Sequence, residues 1–361
     1  MLNIYNLNFT KVAVHIITPK IEGAASANVV ANRRLIELSE EVNELIKERL
    51  YDALKKTQKT FELVIEDNLT TSFFGICKDT EEDGDNIFLD NSIRLANKLA
   101  ENQTSENIPG GYFIFIKAKD FNQDRNVFIT LKADITQALS YDFDKIKILN
   151  NLFLTKSTKF FKFCLLYNRL EQDYQDDYTE LEYPNDKYCC VLFDEQFRPD
   201  SIPAEYFYKG FLGLSIEYNA KIQSKRFYEF TEKFFKSNVE SYDEMNNMLK
   251  VLKIEMEDNN VLTFQPAEFG QKYIQNQNYI ETYNKEVITK LPDSISKDNT
   301  LIKSKLKSQK IEFPNRISIS GPEESLTANF EIINDKDELL NLNPNQESYT
   351  IIKIKGRPFK I

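Results

Sequence analysis

The spacing of the apolar residues changes near Pro199, and this change limits the architectures open to the chain. Before Pro199 most apolar runs are short and end at turn residues, which is typical of β-strands. The clearest pair, 112–118 and 126–132, predicts a β-hairpin. After Pro199 the apolar residues recur every three or four positions, which predicts helices.

Three other segments complete the fold prediction. Segment 29–58 has helical spacing without proline or glycine, and it predicts one long amphipathic helix within the strand-rich half. Segments 61–65 and 71–77 predict short strands, and strand patterns return after residue 313. We therefore predict an α+β protein with an N-terminal, chiefly antiparallel sheet and a long amphipathic helix, a helical middle region and a small β-rich C-terminal cap.

Composition divides the chain into four parts. The strand-rich half predicts an α+β domain at 1–198, and the helical pattern continues over 199–292. Segment 293–312 is polar and rich in lysine, so we predict a lysine-rich linker or an exposed strand there. The remaining strands predict a β-rich C-terminal module at 313–361.

Charge restricts how this chain could bind nucleic acid. It has 46 basic and 56 acidic residues in 361, a net charge of −10 and a pI near 5.0. This balance excludes a protein that binds nucleic acid with its whole surface. Counterion release depends on local bases, however, and the bases of this chain are clustered.

Few side chains in the sequence suit catalysis or metal binding. The single histidine, His15, lies in a predicted strand, and the four cysteines lack C-x-x-C spacing. We predict that His15 is a structural residue and that Cys189 and Cys190 are buried and reduced. No Walker or G-x-S-x-G motif is present, so we predict no enzymatic activity, no cofactor and no metal site.

The sequence shows no targeting signal. The N-terminus lacks the charged start and apolar run of a secretory signal. No stretch approaches the ~20 apolar residues of a membrane span. We therefore expect a cytoplasmic protein without a membrane partner.

The segment 210–236 combines aromatic and basic residues in a predicted helix. Six bases and three acids lie between residues 209 and 236, a local charge of +3. Lys221, Lys225 and Arg226 fall away from the apolar face of the helix. This face could contact phosphates, or it could be the ordinary solvated side of an amphipathic helix.

Three sequence blocks resemble one known family. The central block has F-L-G-L-S at 211–215 followed by N-A-K at 219–221. The C-terminal block has S-L-T-A-N-F at 325–330 and then I-I-K-I-K-G-R-P at 351–358, and a weaker block is G-G-Y-F-I-F at 110–115. In this order the blocks resemble the bacterial 37-kDa nucleoid-associated protein family, over most of the chain. The blocks indicate a family relationship, but they contain no chemical signature of a mechanism.

The resemblance implies a non-enzymatic protein of the nucleoid that binds DNA, with double-stranded DNA as the preferred partner. Binding would rest on phosphate contacts that are largely independent of base sequence. The predicted contacts are the clustered bases Lys221, Lys225, Arg226, Lys303, Lys305, Lys307, Lys353, Lys355 and Arg357. The resemblance also allows a type II topoisomerase or another nucleoid protein as partner, and it leaves a homodimer open.

Two other functions stay open at this point. Residues 169–200 contain ten acids and three bases, a local charge of −7. This segment could dock a basic partner, which would make the protein an adaptor, or it could be a solvated loop. A DNA-targeting, nuclease-like effector of a defence system is the third possibility, with a site built from scattered carboxylates.

Overall fold

The computed structural model describes most of the chain and shows a mixed α+β protein. Contacts between Cα atoms divide it into two compact units, Met1–Gln223 (unit 1) and Ser224–Ile361 (unit 2). The described residues are 2–81, 84–133, 136–142, 145–152, 162–169, 184–198, 203–258, 260–312, 318–333 and 351–356.

Unit 1 is built on an antiparallel sheet of eight strands. Their order is β10-β3-β9-β8-β5-β4-β1-β2, and every neighbouring pair is antiparallel. The predicted chiefly antiparallel sheet is therefore confirmed. The strands are β1 (Leu7–Thr18), β2 (Asn28–Val30), β3 (Thr60–Ile65), β4 (Gly111–Asp120), β5 (Arg125–Ala133), β8 (Lys162–Asn168), β9 (Tyr188–Asp194) and β10 (Leu214–Ser215), while β6 (Thr136–Asp142) and β7 (Lys145–Leu152) form a separate hairpin.

Helices cover both faces of this sheet. On one face α1 (Glu40–Leu54) packs Ile46 and Leu50 into the same core as Ile114 and Ile116 of β4. On the other face Phe115 stacks on Phe88 of α3 (Asp85–Glu101), with ring centroids 5.0 Å apart. Because both faces are covered, most residues of the central strands β4 and β5 are buried, and burial does not alternate from one residue to the next as it would in a strand with one exposed face. The remaining helices of unit 1 are α2 (Phe73–Asp79) and α4 (Pro184–Lys187), a 3₁₀ turn at Ile4–Asn6 and a π-helix at Tyr206–Phe211.

Strands β4 and β5 confirm the predicted hairpin, but one predicted helix is shorter than expected and one predicted strand is wrong. The helix predicted at 29–58 begins only at Glu40, after the N-cap residue Ser39. Residues 28–38 lie instead along the sheet edge, where Val30 pairs with Ile16 and the N–H of Ile36 donates to the carbonyl of Val12. This edge offers backbone partners that helical spacing alone does not reveal.

The strand predicted at 71–77 is the helix α2. Ser72 is its N-cap, and the Oγ of Ser72 accepts a hydrogen bond from the N–H of Gly75 at 3.0 Å. Residues 73–77 are all buried. A short helix that is buried on every side has the same continuous apolar run as a buried strand, so periodicity cannot separate the two.

Unit 2 confirms the predicted helical middle region. Helix α5 (Ala220–Asn238) begins in unit 1 and continues into unit 2, where α6 (Tyr242–Glu257), α7 (Pro266–Tyr273) and α8 (Gln277–Glu286) follow. A second core forms around aromatic residues of these helices, including Phe227, Phe234, Phe235, Phe269 and Tyr283. A two-stranded pair joins β11 (Thr263–Phe264) to β12 (Ile295–Ser296).

The lysine-rich segment 293–312, for which we predicted a linker or an exposed strand, contains regular secondary structure. It contains β12, a 3₁₀ turn at Asn299–Leu301, α9 (Lys303–Lys307) and β13 (Ser308–Glu312). Ile295, Ile302 and Leu306 are buried in the core of unit 2. The apolar residues between the lysines therefore hold this segment against the helices. The four-part division of the chain as a whole stays a prediction.

The described C-terminal residues form two antiparallel pairs and one helix. Strand β13 pairs with β14 (Ser318–Pro322), and β15 (Phe330–Ile333) pairs with β16 (Ile351–Ile354). Helix α10 (Glu323–Asn329) lies between β14 and β15 in the chain. The turn predicted near Pro344 lies outside the described residues, and the β-rich cap stays a prediction. Within the described ranges, no helix is both long enough and apolar enough to cross a membrane.

Candidate nucleic-acid interface

The block 210–215 joins the π-helix to the edge of the sheet in unit 1. Gly213 adopts a φ of +64°, and its carbonyl accepts hydrogen bonds from the N–H groups of Glu66 and Asp67, both at 3.0 Å. A Cβ atom at Gly213 would lie 2.6 Å from the Cβ of Asp67. Glycine is thus required at residue 213 both by the positive φ and by the close approach of Asp67. The block 210–215 therefore has a structural role.

The polar residues of the block 219–221 bind backbone groups. The Oδ1 of Asn219 accepts from the N–H of Ile222 at 3.1 Å, as an N-cap of α5, while its Nδ2 donates to the carbonyl of Glu62 at 2.9 Å. The Nζ of Lys221 donates to the carbonyls of Thr57 and Thr60 at 2.8 and 2.9 Å. Lys221, a predicted phosphate contact, is therefore directed at two protein carbonyls.

Glu229 brings two of the predicted cations together in unit 2. Its Oε2 lies 3.8 Å from the Nζ of Lys225, and its Oε1 lies 2.6 Å from the Nζ of Lys305. The side chain of Lys225 is only 9% exposed, whereas that of Lys305 is 46% exposed. Arg226, next to Lys225, is half-buried. Lys225 is thus placed below the surface at which Lys305 lies.

Helix α9 presents three of the predicted lysines on a short, anchored turn. Lys303, Lys305 and Lys307 are exposed, and between them Leu306 is buried in the core of unit 2. The N–H of Leu306 donates to the carbonyl of Ile302 at 3.0 Å. The buried leucine thus holds the helix against the core of unit 2, while the three lysine side chains are exposed to solvent.

The last predicted contacts lie at the C-terminal end. Lys353 and Lys355 are exposed, and Lys353 is opposite Glu331 in the β15–β16 pair. The N–H of Lys355 donates to the carbonyl of Asn329 at 2.9 Å. Arg357 lies outside the described residues. Of the predicted contacts, Lys221 belongs to unit 1, and the others belong to unit 2.

Comparison with protein-family models places the chain among known proteins. The model described as "Nucleoid-associated protein YejK" matches residues 13–354. The chain belongs to this family. The match covers nearly the whole chain, and it confirms the resemblance on which the sequence prediction rested. No curated protein matches the chain.

This member of the nucleoid-associated protein YejK family distributes its charge unevenly. Unit 1 has 26 basic and 35 acidic residues, a net charge of −9, whereas unit 2 has 20 and 21, a net charge of −1. A polyanion is repelled less by a nearly neutral unit than by a strongly acidic one. The exposed lysines of α9 belong to the nearly neutral unit.

The sequence prediction missed a further lysine cluster in unit 1, the K-K-T-Q-K run at 55–59. Lys56 and Lys59 both contact the carboxylate of Glu195, at 2.7 and 3.3 Å. Burial by itself would raise the pKa of Glu195, but hydrogen bonding from Lys56 and the charges of Lys56 and Lys59 outweigh it and hold that pKa below its ordinary value. The run was visible in the sequence, but the carboxylate that Lys56 and Lys59 share was not.

The histidine and cysteine residues have structural environments, as predicted. His15 is buried, with hydrogen bonds at both ring nitrogens. Cys189 and Cys190 are buried, and burial raises the pKa of Cys189 to about 12. Such thiols are poor nucleophiles because the thiolate is the reactive form.

The two alternative functions stay predictions. Among the described residues, no group of three His, Cys, Asp or Glu side chains is placed to hold a metal ion. Most of the acidic segment 169–200 lies outside the described residues. The adaptor role of that segment therefore stays a prediction.

Proposed function

We propose that this protein is a non-enzymatic DNA-binding protein that contacts the phosphate backbone of double-stranded DNA through unit 2. Membership of the nucleoid-associated family carries the proposal. The exposed lysines of α9 support the mode of binding, because they extend from an anchored helix in the less acidic unit.

Lysine side chains suit this mode of binding. The ammonium group is a compact charge on a flexible stem, so it follows a phosphate without reading a base edge. Each neutralised phosphate contributes about −0.9 to the slope of log K against log salt, and ~4–6 contacts give a slope of about −4 to −5. These ~4–6 contacts would come from seven candidate side chains, Lys303, Lys305, Lys307, Lys353, Lys355, Arg226 and Arg357.

Lys221 and Lys225 support this surface indirectly in our proposal. Lys221 donates to two backbone carbonyls, and Lys225 is buried beside Glu229. A direct phosphate contact would require Lys221 to leave these carbonyls and Lys225 to leave its buried position. Their geometry therefore favours a role in holding α5, and the direct contact that the sequence suggested stays a prediction.

A mobility shift on a mixed-sequence duplex, repeated over a salt series, tests the proposal. We expect a triple Lys303→Ala, Lys305→Ala and Lys307→Ala variant to lower the magnitude of the salt slope by about 1.8 from Lys303 and Lys307, with a smaller share from Lys305 because its ammonium contacts Glu229. The matched control replaces Lys233, Lys250 and Lys285, which are exposed lysines elsewhere in unit 2, with alanine. It removes the same charge from the same unit.

Comparison of the two triple variants distinguishes binding by a defined surface from binding that depends only on the total charge of unit 2. Equal loss of binding in both would refute the α9 surface, and failure of the unmodified protein to shift DNA would refute the function itself. In the latter case, capture of a basic partner that depends on the acidic segment 169–200 would support the adaptor alternative. A type II topoisomerase partner and homodimer formation stay predictions.

A further inference from the structure

Glu229 lies between a buried and an exposed lysine, and this position has a consequence for DNA binding. The carboxylate contacts Lys305 at 2.6 Å and Lys225 at 3.8 Å, and its own side chain is 30% exposed. Lys225 precedes Glu229 by four residues on α5, a spacing that places the two side chains on the same face of the helix. The buried ammonium of Lys225 therefore keeps the carboxylate of Glu229 at the surface of α9.

We propose that Glu229 is an internal competitor for Lys305 and thereby limits the DNA affinity of the α9 surface. This inference rests on the proposed function. A carboxylate and a DNA phosphate accept charge-assisted hydrogen bonds from the same ammonium group. A phosphate that approaches Lys305 must replace Glu229 or share the ammonium with it, and the two anions repel each other.

Lys225 acts as a positioning residue in this arrangement. Its side chain is 9% exposed, so it cannot follow a phosphate outward without leaving its packed site. Its charge holds the Oε2 of Glu229, while the Oε1 of Glu229 holds Lys305. The net charge of this group of five residues (Lys225, Glu229 and the three α9 lysines) is +3, and removal of the carboxylate charge raises it to +4.

A Glu229→Gln variant tests the competitor directly, because glutamine preserves the shape of the side chain and removes its charge. We expect the affinity for a mixed-sequence duplex to rise about 3- to 8-fold in ~0.1 M salt, and the salt slope to steepen by about 0.9. In a Glu229→Gln, Lys305→Ala double variant this gain should disappear, because the affected ammonium is then missing.

A second variant separates the competition from the change in total charge. The Lys225→Met, Glu229→Gln double variant keeps the net charge of the protein and leaves no buried lysine without its carboxylate. We expect this variant also to bind DNA more tightly and with a steeper salt slope. The matched control is Lys236→Met, Glu232→Gln, which removes another pair spaced by four residues on α5, at 3.2 Å.

The outcomes distinguish this inference from the proposed function. Tighter binding by the Lys225→Met, Glu229→Gln variant and unchanged binding by the control support the competitor. If the Glu229→Gln variant and the Lys225→Met, Glu229→Gln variant both bind DNA like the unmodified protein while the triple α9 variant binds weakly, the role of Glu229 as a competitor is refuted and the proposed surface stands. If the triple α9 variant also binds like the unmodified protein, the surface itself is refuted. Circular dichroism of each variant verifies that the fold is retained.

Discussion

His15 makes the stability of unit 1 sensitive to acid. The ring lies in β1 and is 1% exposed. Its Nδ1 accepts from the N–H of Asn32 at 3.1 Å, so the proton of the neutral ring is on Nε2, which donates to the Oγ of Ser92 at 2.9 Å. Ser92 in turn donates to the carbonyl of Leu89 at 2.6 Å. A second proton on Nδ1 would face the N–H donor of Asn32.

The size of this effect follows from the two pKa values of His15. Burial lowers the pKa of His15 from 6.5 to about 4 in the folded protein. As the pH falls, the unfolded chain therefore binds this proton first. The contribution of the neutral His15 ring to the free energy of unfolding is complete above pH ~6.5. It is lost as the pH falls from ~6.5 to ~4, and the total loss is about 3 kcal/mol. Between pH 7 and pH 5 the free energy of unfolding should fall by about 2 kcal/mol.

Urea unfolding at pH 7, 6 and 5 and constant ionic strength measures this loss. Because the chain has a single histidine, no other side chain with an ordinary pKa titrates between pH 5 and pH 7. The His15→Gln variant is the control. It can be less stable at every pH, but we expect it to lose little further stability between pH 7 and pH 5. Amide exchange in the β1–β4 ladder assigns the effect to unit 1.

Proton NMR tests the assumption behind the calculation. The single histidine gives one Cε1–H resonance, which should keep its chemical shift in the folded protein down to about pH 5. A folded-state titration with a midpoint near 6.5 would refute the reasoning. The same conclusion would follow if His15→Gln showed the full pH dependence of the unmodified protein.

Two further predictions concern single contacts. Lys221→Met removes the donor to the carbonyls of Thr57 and Thr60, and we expect it to lower the free energy of unfolding by about 1–3 kcal/mol in urea while leaving the salt slope of DNA binding unchanged. Gly270→Ala places a Cβ 2.7 Å from the ring of Tyr283, and we expect it to cost about 1–3 kcal/mol by thermal unfolding; an unchanged melting temperature would contradict the packing in this core.

Local patterns in the sequence were sufficient for the elements whose partners are close in the chain. The β4–β5 hairpin was predicted nearly to its ends, because a hairpin pairs residues that are close in the chain. The family blocks were also recognisable, since they are contiguous. In each case the deciding interactions lie within a few residues of one another.

The elements that were predicted wrongly depend on partners that are distant in the chain. The first residues of the helix predicted at 29–58 belong instead to β2, which pairs with β1, and the apolar run at 73–77 is buried on all sides as α2. The lysine-rich segment 293–312 folds because Ile302 and Leu306 reach a core formed by earlier helices. Periodicity shows which residues are apolar together, but it does not show which surface covers them.

The candidate site shows the same difference between local patterns and tertiary contacts, most clearly for its charged side chains. The sequence located the lysines and separated Lys221 and Lys225 from the apolar face of α5. The acceptor of each ammonium came from tertiary contacts: Lys221 binds the carbonyl of Thr57, 164 residues away, and Lys305 binds Glu229, 76 residues away. A charged side chain can be satisfied by water, a carbonyl or a carboxylate, and only the folded chain selects among them.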